Sequence, residues 1–343
     1  MPSHTTRPAV RRRVLVTGAT GFLGGAVARK LHADGAHVIA HGRSTAAGDR
    51  LAEAGLSVAL ADLVDEAAAR ALVEEAAPEA IVHCAAKSAP FGPRREFVAA
   101  NVDGTRHLLD AALAAGVERF VHISSPSIYC AGLALDGVAE DAPLPSSPIN
   151  HYAGTKLLGE GLVAARHAEG LPTITLRPRA IYGPGDNALF PRLLAALRGG
   201  QLPVIGTGTN RIDLTYIDDA VQGVTRALEA GPHCLGRAYN LTSGESAPLW
   251  DLIRDLCRRL DLAPPTRRVS RPVARTAAAM AEAWHRLARR PGEPRLTRYS
   301  VDSLSLDATL DISAARRDLG YAPLVSVAEG IERFVASLQG DLG

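Results

Sequence analysis

Aromatic residues are scarce in this chain. Phe, Trp and Tyr make up 4% of its 343 residues, which leaves little for a surface on which nucleic-acid bases stack. Charge of one sign is not in excess either, because 38 Lys and Arg residues face 36 Asp and Glu residues. No basic stripe interleaves with aromatic residues, so we expect no nucleic acid among the partners.

Cysteine is also rare, and its pattern predicts reduced thiols. The cysteines are scattered and form no CxxC pair: Cys84, Cys130, Cys234 and Cys257. This usage is typical of a cytoplasmic protein. The histidines are scattered too. His37 and His41 are four residues apart, but they fall on a predicted strand, where they lie too far apart to chelate well, so we expect no metal site.

Long hydrophobic runs are missing. No run approaches the roughly 20 apolar residues that span a bilayer. Residues 1–12 are polar and lack the apolar core of a signal peptide, so they predict a disordered tail. We therefore expect a cytoplasmic location and no transmembrane segment.

The stretch from Pro272 to Arg290 comes nearest to an apolar segment, but it is too charged to cross a membrane. Its apolar residues recur at helical spacing: Val273, Ala277, Met280, Trp284 and Leu287. This periodicity predicts a helix packed on the body of the protein. Two alternatives stay open, a lid over a substrate site and a helix in peripheral contact with a membrane surface.

Short apolar runs alternate with helical patterns as far as Pro178. Runs such as "RVLVTG", "EAIVHCAA" and "PTITLRP" are typical of buried strands in a parallel sheet covered by helices on both faces. We predict an α/β fold, a doubly wound parallel sheet of the Rossmann type with a smaller, mostly helical C-terminal lobe. The Rossmann domain is expected over 13–178, with 213–242 returning to it. The substrate-binding lobe is expected over 179–212 and 243–340.

"VLVTGATGFLGG" predicts a dinucleotide site at the first strand-to-helix turn. Gly18 permits the tight exit from the strand, Gly21 lets a pyrophosphate approach the backbone, and Gly24 lets the helix pack against the sheet. The helix N-terminus then offers free N–H groups to the phosphates. The other residues of the turn that we expect at the cofactor are Thr20, Phe22 and Leu23.

The end of the second strand favours NADP over NAD. An NAD site of this fold normally has Asp or Glu there, bound to the ribose hydroxyls. Here His41 or Gly42 takes that place and Arg43 follows, and a guanidinium suits a 2′-phosphate. Asp62 and Leu63, just past the third strand, are expected to meet the adenine ring.

Ser125, Tyr152 and Lys156 form a candidate catalytic group. "HYAGTK" opens a predicted helix, and Tyr152 and Lys156 are one helical turn apart on the same face. A phenol is a poor acid–base catalyst at neutral pH unless its pKa is lowered, and we expect the Lys156 ammonium, helped by an oxidised nicotinamide, to lower it. Ser125 ends the fifth strand, where it is expected to hydrogen-bond the substrate oxygen.

Together these motifs resemble the extended short-chain dehydrogenase/reductase family, over nearly all of 14–335. The matching stretches are "TGATGFLG", "VHCAA", "NVDGT", "HISSPSIY", "YAGTK", "LRPRAIYGPGD", "TYIDDA" and "RRDLGYAP". The resemblance implies catalytic roles for Ser125, Tyr152 and Lys156, the last two also touching the cofactor. It further implies cofactor contacts at Ala85, Ala86, Lys87, Asn101 and Pro178, and a homodimer built through helices beside the sheet.

The branch of the family is indicated by one departure and three further stretches. Nucleotide-sugar epimerases and dehydratases carry an Arg-Asp pair where this chain has Ile212 and Asp213, and the neighbouring Arg211 should point to the opposite face. "AAKSAPFG", "NRIDLTYIDDA" and "GEPRLTRYSVDSL" instead resemble the 3β-hydroxysteroid dehydrogenase-like branch. Within it they resemble the 2-alkyl-3-oxoalkanoate reductases, which reduce a β-keto acid to a β-hydroxy acid.

The sequence thus predicts an NADPH-dependent ketoreductase of an apolar ketone. Candidate substrate-binding residues are Lys87, Ser127 and Arg179, with Lys87 and Arg179 suited to a carboxylate. A 3β-hydroxysteroid dehydrogenase and a nucleotide-sugar epimerase or dehydratase stay open as alternatives. So does a non-catalytic NADP-sensing regulator, although such relatives generally lack the catalytic tyrosine or lysine.

Overall fold

A computed structural model describes residues 12–290 and 292–340. Apart from Arg12, the predicted tail 1–12 lies outside the described residues. The strands are β1 (Arg13–Thr17), β2 (His37–Gly42), β3 (Ser57–Leu60), β4 (Ala80–His83), β5 (Arg119–Ile123), β6 (Leu135–Val138), β7 (Thr173–Pro178), β8 (Ile181–Tyr182), β9 (Val204–Ile205), β10 (Arg211–Asp213), β11 (Thr215–Tyr216), β12 (Ala238–Leu241), β13 (Ser246–Pro248), β14 (Arg268–Val269) and β15 (Ala308–Leu310). The helices are α1 (Phe22–Ala33), α2 (Thr45–Glu53), α3 (Glu66–Ala76), α4 (Arg94–Val98), α5 (Gly104–Ala114), α6 (His151–Ala168), α7 (Leu189–Arg198), α8 (Ile217–Glu229), α9 (Leu249–Arg259), α10 (Arg271–Leu287), α11 (Arg298–Ser305), α12 (Ser313–Leu319) and α13 (Val327–Gly340).

Seven parallel strands form the central sheet, in the order β12-β7-β5-β4-β1-β2-β3. Alternate residues of each strand face opposite sides. Val14 and Val16 join the core under α1 and α8, whereas Leu15 joins the core under α3, α5 and α6. Both faces of the sheet carry apolar side chains because helices cover both faces. The predicted doubly wound Rossmann fold is confirmed.

The chain after Pro178 adds β12 to the edge of the central sheet and forms most of the structure outside that sheet. A second sheet, in the order β13-β10-β15-β6, packs with helices from the C-terminal part of the chain. A C-terminal helical region is therefore present, as predicted. The boundaries proposed for the two domains stay predictions.

Helix α10 differs from the expectation for the stretch from Pro272 to Arg290. The helix forms and packs on the body of the protein, but its apolar stripe faces outward, and Trp284 is 55% exposed. Ala274, Ala278 and Glu282 are buried instead. Ion pairs explain this orientation, because the buried Glu282 carboxylate binds Arg286 and Arg298. None of the helices in 12–290 and 292–340 is both long enough and apolar enough to span a bilayer.

Candidate active site

The candidate site lies at the carboxyl edge of the central sheet, where β1, β4 and β5 end side by side. Each strand is followed by a segment that the sequence analysis singled out: the glycine turn, the stretch after His83, and Ser125. In open parallel sheets this edge is where ligands bind. The topology therefore brings residues that are distant in sequence to one cleft.

The glycine turn has the shape of a phosphate cradle. Gly18 has φ +69°, and a Cβ there would lie 2.7 Å from the Ala85 backbone nitrogen. A Cβ at Gly24 would overlap the Gly18 carbonyl oxygen. Helix α1 then starts after Gly21 with no side-chain cap and no acidic residue in its first turn, which leaves its N–H groups and partial positive charge for an anion.

The end of β2 bounds the adenosine side of the cleft. His41 is buried, and its Nε2 lies 3.1 Å from the Ala61 carbonyl oxygen. Burial lowers the pKa of His41, and the nearby charges of Arg43 and Asp62 act on it in opposite directions. Arg43 and Asp62 are both exposed, so both are free to meet a ligand. Leu63, in contrast, is buried beneath Gly104.

Asn101 fixes the stretch that follows β4. Its side chain accepts a hydrogen bond from the Lys87 backbone N–H at 2.7 Å and donates to the Lys87 carbonyl at 3.1 Å and to Thr155 at 3.0 Å. The chain forms α4, a π-helical turn over Ala99–Asp103 and α5, and π turns are frequent at functional sites.

Tyr152 and Ser125 lie within hydrogen-bonding reach of each other. Ser125 precedes a short 3₁₀ turn, and Tyr152 lies in the first turn of α6, which Asn150 caps by accepting from the Ala153 N–H at 2.8 Å. Burial raises the pKa of the Tyr152 phenol, and hydrogen bonds with the hydroxyls of Ser125 and Ser88 lower it by less. The phenol therefore stays protonated at neutral pH, as a proton donor must.

Lys156 lies one helical turn after Tyr152 on α6, and its ammonium is bound at the end of β5. Its Nζ donates to the Ile123 carbonyl at 2.6 Å and lies 3.4 Å from His122 Nε2. Burial lowers the pKa of Lys156 to about 8, and Glu160 and Cys84 raise it by less. Burial dominates the pKa of the Tyr152 phenol, and the Lys156 ammonium is held at the end of β5. The expected lowering of this pKa by the ammonium together with a nicotinamide stays a prediction.

Two of the candidate substrate residues, Lys87 and Arg179, differ in the groups that surround them. Lys87 Nζ is paired with Glu96 Oε2 at 2.8 Å, so its charge already has a partner. Arg179 lies beside Cys130, where it counteracts the rise that burial causes in the thiol pKa. It also acts on Tyr299, whose pKa is raised to about 12, chiefly by burial.

The buried hydroxyl Oγ of Ser127 has no hydrogen-bond partner among the described residues. Pro178 is buried at the end of β7, where it pairs with Leu241 of β12. Ala86 is exposed beside Ala85. Ser127 thus keeps an unsatisfied hydroxyl in the buried turn that follows Ser125.

A cavity of about 520 Å³ opens between the loop after β4, α6, α10 and α11. Its wall is mainly apolar, with Phe91, Phe97 and Leu158 among its residues, and it carries the charges of Arg94, Glu282, Arg286 and Arg298. Ser125 and Tyr152 do not line it. The cavity borders them through Tyr299 and through the loop that begins with Ser88.

Ser88 and Tyr299 are two residues of the site that the sequence analysis missed. Ser88 follows Lys87 in "AAKSAPFG" at the end of β4, so its position at the same sheet edge as Ser125 was available from the strand pattern. Tyr299 lies in the irregular C-terminal part of the chain. No periodicity there indicates that its side chain reaches the neighbourhood of Tyr152.

The position of Arg211 agrees with the expected departure from nucleotide-sugar enzymes. Strand β10 pairs with β13 in regular register, without a bulge, so the side chains of Arg211 and Ile212 are on opposite faces of the strand. Its guanidinium bonds Ser246 Oγ at 2.8 and 3.1 Å and the Ser246 carbonyl oxygen at 2.6 Å.

The cleft fits a nicotinamide dinucleotide. The bare glycine turn, the uncapped start of α1 and the exposed Arg43 provide room, N–H donors and positive charge for phosphate groups. Lys156 and Tyr152 lie further along the same sheet edge. This arrangement defines an oxidoreductase of the short-chain dehydrogenase/reductase type.

Comparison with known proteins gives the family. Residues 14–242 match the NAD dependent epimerase/dehydratase family, and the chain belongs to this family, the extended short-chain dehydrogenases/reductases. It is an NAD(P)-dependent oxidoreductase.

Three similar proteins show how far the likeness extends. A 2-alkyl-3-oxoalkanoate reductase of Stenotrophomonas maltophilia is 36% identical over 330 residues, which cover 95% of this chain and 99% of the relative. A 3beta-hydroxysteroid-dehydrogenase/decarboxylase (isoform 1) of Arabidopsis thaliana is 33% identical over 267 residues, which cover 74% of this chain and 61% of the relative. The structure of UDP-glucuronic acid 4-epimerase from Bacillus cereus in complex with NAD matches with a TM-score of 0.74 and 25% identity, over 96% of this chain and 99% of that one.

Proposed function

We propose that this protein is an NADPH-dependent ketoreductase that converts an apolar ketone, such as a β-keto acid, into a secondary alcohol. The observation that carries the proposal is the Tyr152 phenol, within hydrogen-bonding reach of the hydroxyls of Ser125 and Ser88 and one helical turn from Lys156.

The catalytic side chains divide the work at the carbonyl oxygen. Ser125 donates a hydrogen bond that polarises the carbonyl, and Tyr152 delivers the proton as negative charge develops on the oxygen. Lys156 lies one helical turn from Tyr152, and its ammonium would hold the nicotinamide ribose. When bound, a reduced nicotinamide supplies the hydride to the carbonyl carbon.

The chain's own groups would hold the dinucleotide along the sheet edge. The backbone from Gly18 to Gly24 binds the pyrophosphate, and Arg43 binds the 2′-phosphate that distinguishes NADPH from NADH. Asp62 would bound the adenine, together with the backbone at Leu63, because the Leu63 side chain is buried beneath Gly104. The stretch from Ala85 to Lys87, fixed by Asn101, and the backbone at Pro178 bound the nicotinamide half.

The apolar arm of the substrate occupies the cavity beside α6. Its apolar wall, formed in part by Phe91, Phe97 and Leu158, supports an apolar substrate. Arg179 and Ser127 are the groups we assign to a substrate carboxylate, because Lys87 is already paired with Glu96. The Stenotrophomonas relative, whose name specifies a 2-alkyl-3-oxoalkanoate, supports the same substrate class.

Oxidation of a 3β-hydroxysteroid is the second candidate, favoured by the Arabidopsis relative and by the same Ser125, Tyr152 and Lys156 machinery. A nucleotide sugar is disfavoured, since Arg211 is bound to Ser246. The cytoplasmic location, the homodimer and the division into a Rossmann domain and a substrate lobe complete the proposal.

The test is consumption of NADPH, followed by absorbance, with a long-chain 2-alkyl-3-keto acid and with NADH in parallel. Rapid turnover with a preference for NADPH would support the proposal. Binding of NADPH without its consumption would contradict it, and 3β-hydroxysteroids with NADP and NAD are then the substrates to assay.

A further inference from the structure

Beside the catalytic Lys156 lies a buried histidine to which the proposed reaction assigns no role. His122 belongs to β5, and both His122 and Lys156 are almost completely buried, at 0% and 3% exposure. Lys156 Nζ lies 3.4 Å from His122 Nε2 and 2.6 Å from the Ile123 carbonyl oxygen. Two neighbouring residues of β5 thus contact the ammonium, one through its ring and the other through its backbone carbonyl.

The surroundings of His122 do not explain it as a structural residue. Burial, together with the charges of Lys156 and His83, lowers the pKa of His122 well below its usual value, so the ring is neutral. Its Nδ1 has no hydrogen-bond partner within the described part of the chain. If Nε2 accepts from Lys156, the ring hydrogen is on Nδ1 and is unpaired, which costs stability. A buried group left unsatisfied in this way calls for an explanation.

The other groups facing Lys156 are already engaged. On β4, the His83 ring lies 5.5 Å from the His122 ring, and its nitrogens are bound to Thr17 Oγ1 at 2.8 Å and to Thr105 Oγ1 at 3.0 Å. Cys84 comes directly after β4, and burial keeps its thiol protonated. On α6, Glu160 is bound to Arg177 at 2.6 Å.

We propose that His122 is a positioning residue for Lys156: its Nε2 accepts a hydrogen bond from the ammonium and, with the Ile123 carbonyl, fixes Nζ and keeps it protonated. The catalytic consequence of this role rests on the proposed ketoreductase function. The contact between the two side chains stands without that function.

The sign of the effect follows from the acceptor. A lone pair directed at Nζ stabilises the ammonium over the amine. Burial already lowers the pKa of Lys156 to about 8, so removal of the acceptor lowers it further. In the variant protein the ammonium is lost at lower pH, and reduction fails at lower pH than in the wild type.

The experiment measures the Lys156 pKa directly, in the cofactor-free protein. Lys30, Lys87 and Lys156 are the lysines of the whole chain, so NMR of protein with ¹³C-labelled lysine resolves them, and Lys30→Arg and Lys87→Arg assign their signals. His122→Phe is expected to lower the Lys156 midpoint by about one pH unit. His122→Gln offers an acceptor oxygen, so its Lys156 midpoint should lie close to that of the wild type.

Phe120→Leu is the matched control. Phe120 lies two residues before His122 on the same strand, is buried and packs against His83 at 6.0 Å between ring centroids. It has no hydrogen-bonding group to offer Lys156, so its substitution should leave the midpoint within about 0.2 pH unit. If His122→Phe does not fold, His122→Asn keeps a polar side chain but is too short to reach Nζ, and it should show the same shift.

A kinetic reading connects the contact to catalysis. With a ketone that the wild type reduces, His122→Phe should lower kcat about tenfold and leave KM nearly unchanged. Its alkaline limb should lie at lower pH. An unchanged Lys156 midpoint in His122→Phe, or an equal shift in Phe120→Leu, would overturn the positioning role. A shifted midpoint with no turnover of any ketone by the wild type would leave that role standing and sink the proposed function.

Discussion

Single residues of the site owe their chemistry to the partners that they find in a buried cleft. Tyr152 is flanked by the hydroxyls of Ser125 and Ser88, and its pKa is raised because burial outweighs those hydrogen bonds. Lys156 is buried as well, but burial lowers the pKa of an ammonium. The phenol and the ammonium are therefore both in their protonated forms near pH 7, as reduction of a ketone requires.

Replacement of Tyr152 by Phe removes the proton donor and little else. We expect Tyr152→Phe to lower turnover about 10³-fold, within the range of general acid catalysis, while the Kd for NADPH changes less than about threefold. Tyr216→Phe is the control, since this buried tyrosine lies on β11 beside Tyr182, outside the proposed site. Undiminished turnover in Tyr152→Phe would refute the assignment of the acid.

Arg43 is expected to determine the choice of cofactor. Arg43→Ala should raise the KM for NADPH about 10- to 100-fold and leave that for NADH nearly unchanged, because a charge-assisted bond to the 2′-phosphate is lost. Arg29→Ala, an exposed arginine of α1, is the comparison. Equal effects on the two cofactors would show that Arg43 does not read the 2′-phosphate.

Helices and strands were predictable from the sequence where local pattern determines them. Continuous apolar runs marked the strands, and "TGATGFLG" marked the turn into α1, because the glycines there are required by close backbone contacts. The π turn at Asn101 and the outward stripe of α10 were not predictable. The first depends on hydrogen bonds to Lys87 and Thr155, and the second on ion pairs between segments distant in the chain.

The orientation of α10 makes a prediction about stability. Trp284→Gln should change the free energy of unfolding by less than about 0.5 kcal/mol, since the ring is exposed on the outer face. Ala278→Leu should cost about 1–3 kcal/mol, because Ala278 is completely buried. Urea denaturation of both variants decides the point, and the reverse order would mean that the apolar stripe packs inward.

For the molecule as a whole, the strand pattern predicted the sheet edge, where Ser88 also lies, whereas Tyr299 lies in an irregular part of the chain that gave no such signal. The buried histidines at that edge also make the stability of the whole protein depend on pH. Burial lowers the pKa of His83 to about 3, so between pH 6.5 and 3 the unfolded chain binds a proton that the folded protein does not. Stability therefore falls as the pH falls.

His83→Asn isolates this contribution. Between pH 7 and pH 4.5 the wild type should lose about 2 kcal/mol more unfolding free energy than His83→Asn. Asp213 acts in the opposite sense, because burial raises its pKa to about 6, but it does so in both proteins and cancels in the comparison. Equal losses in urea titrations would mean that His83 is not the buried neutral group described.

The central claim is net reduction of a ketone, in contrast to an epimerase of the same fold, which returns the hydride to its substrate. NADPH deuterated at both C4 positions tests it with a 2-alkyl-3-keto acid. The account predicts one deuterium at the carbinol carbon of the product and stoichiometric NADP. A product without deuterium, or an altered substrate with no NADPH oxidised, would contradict it.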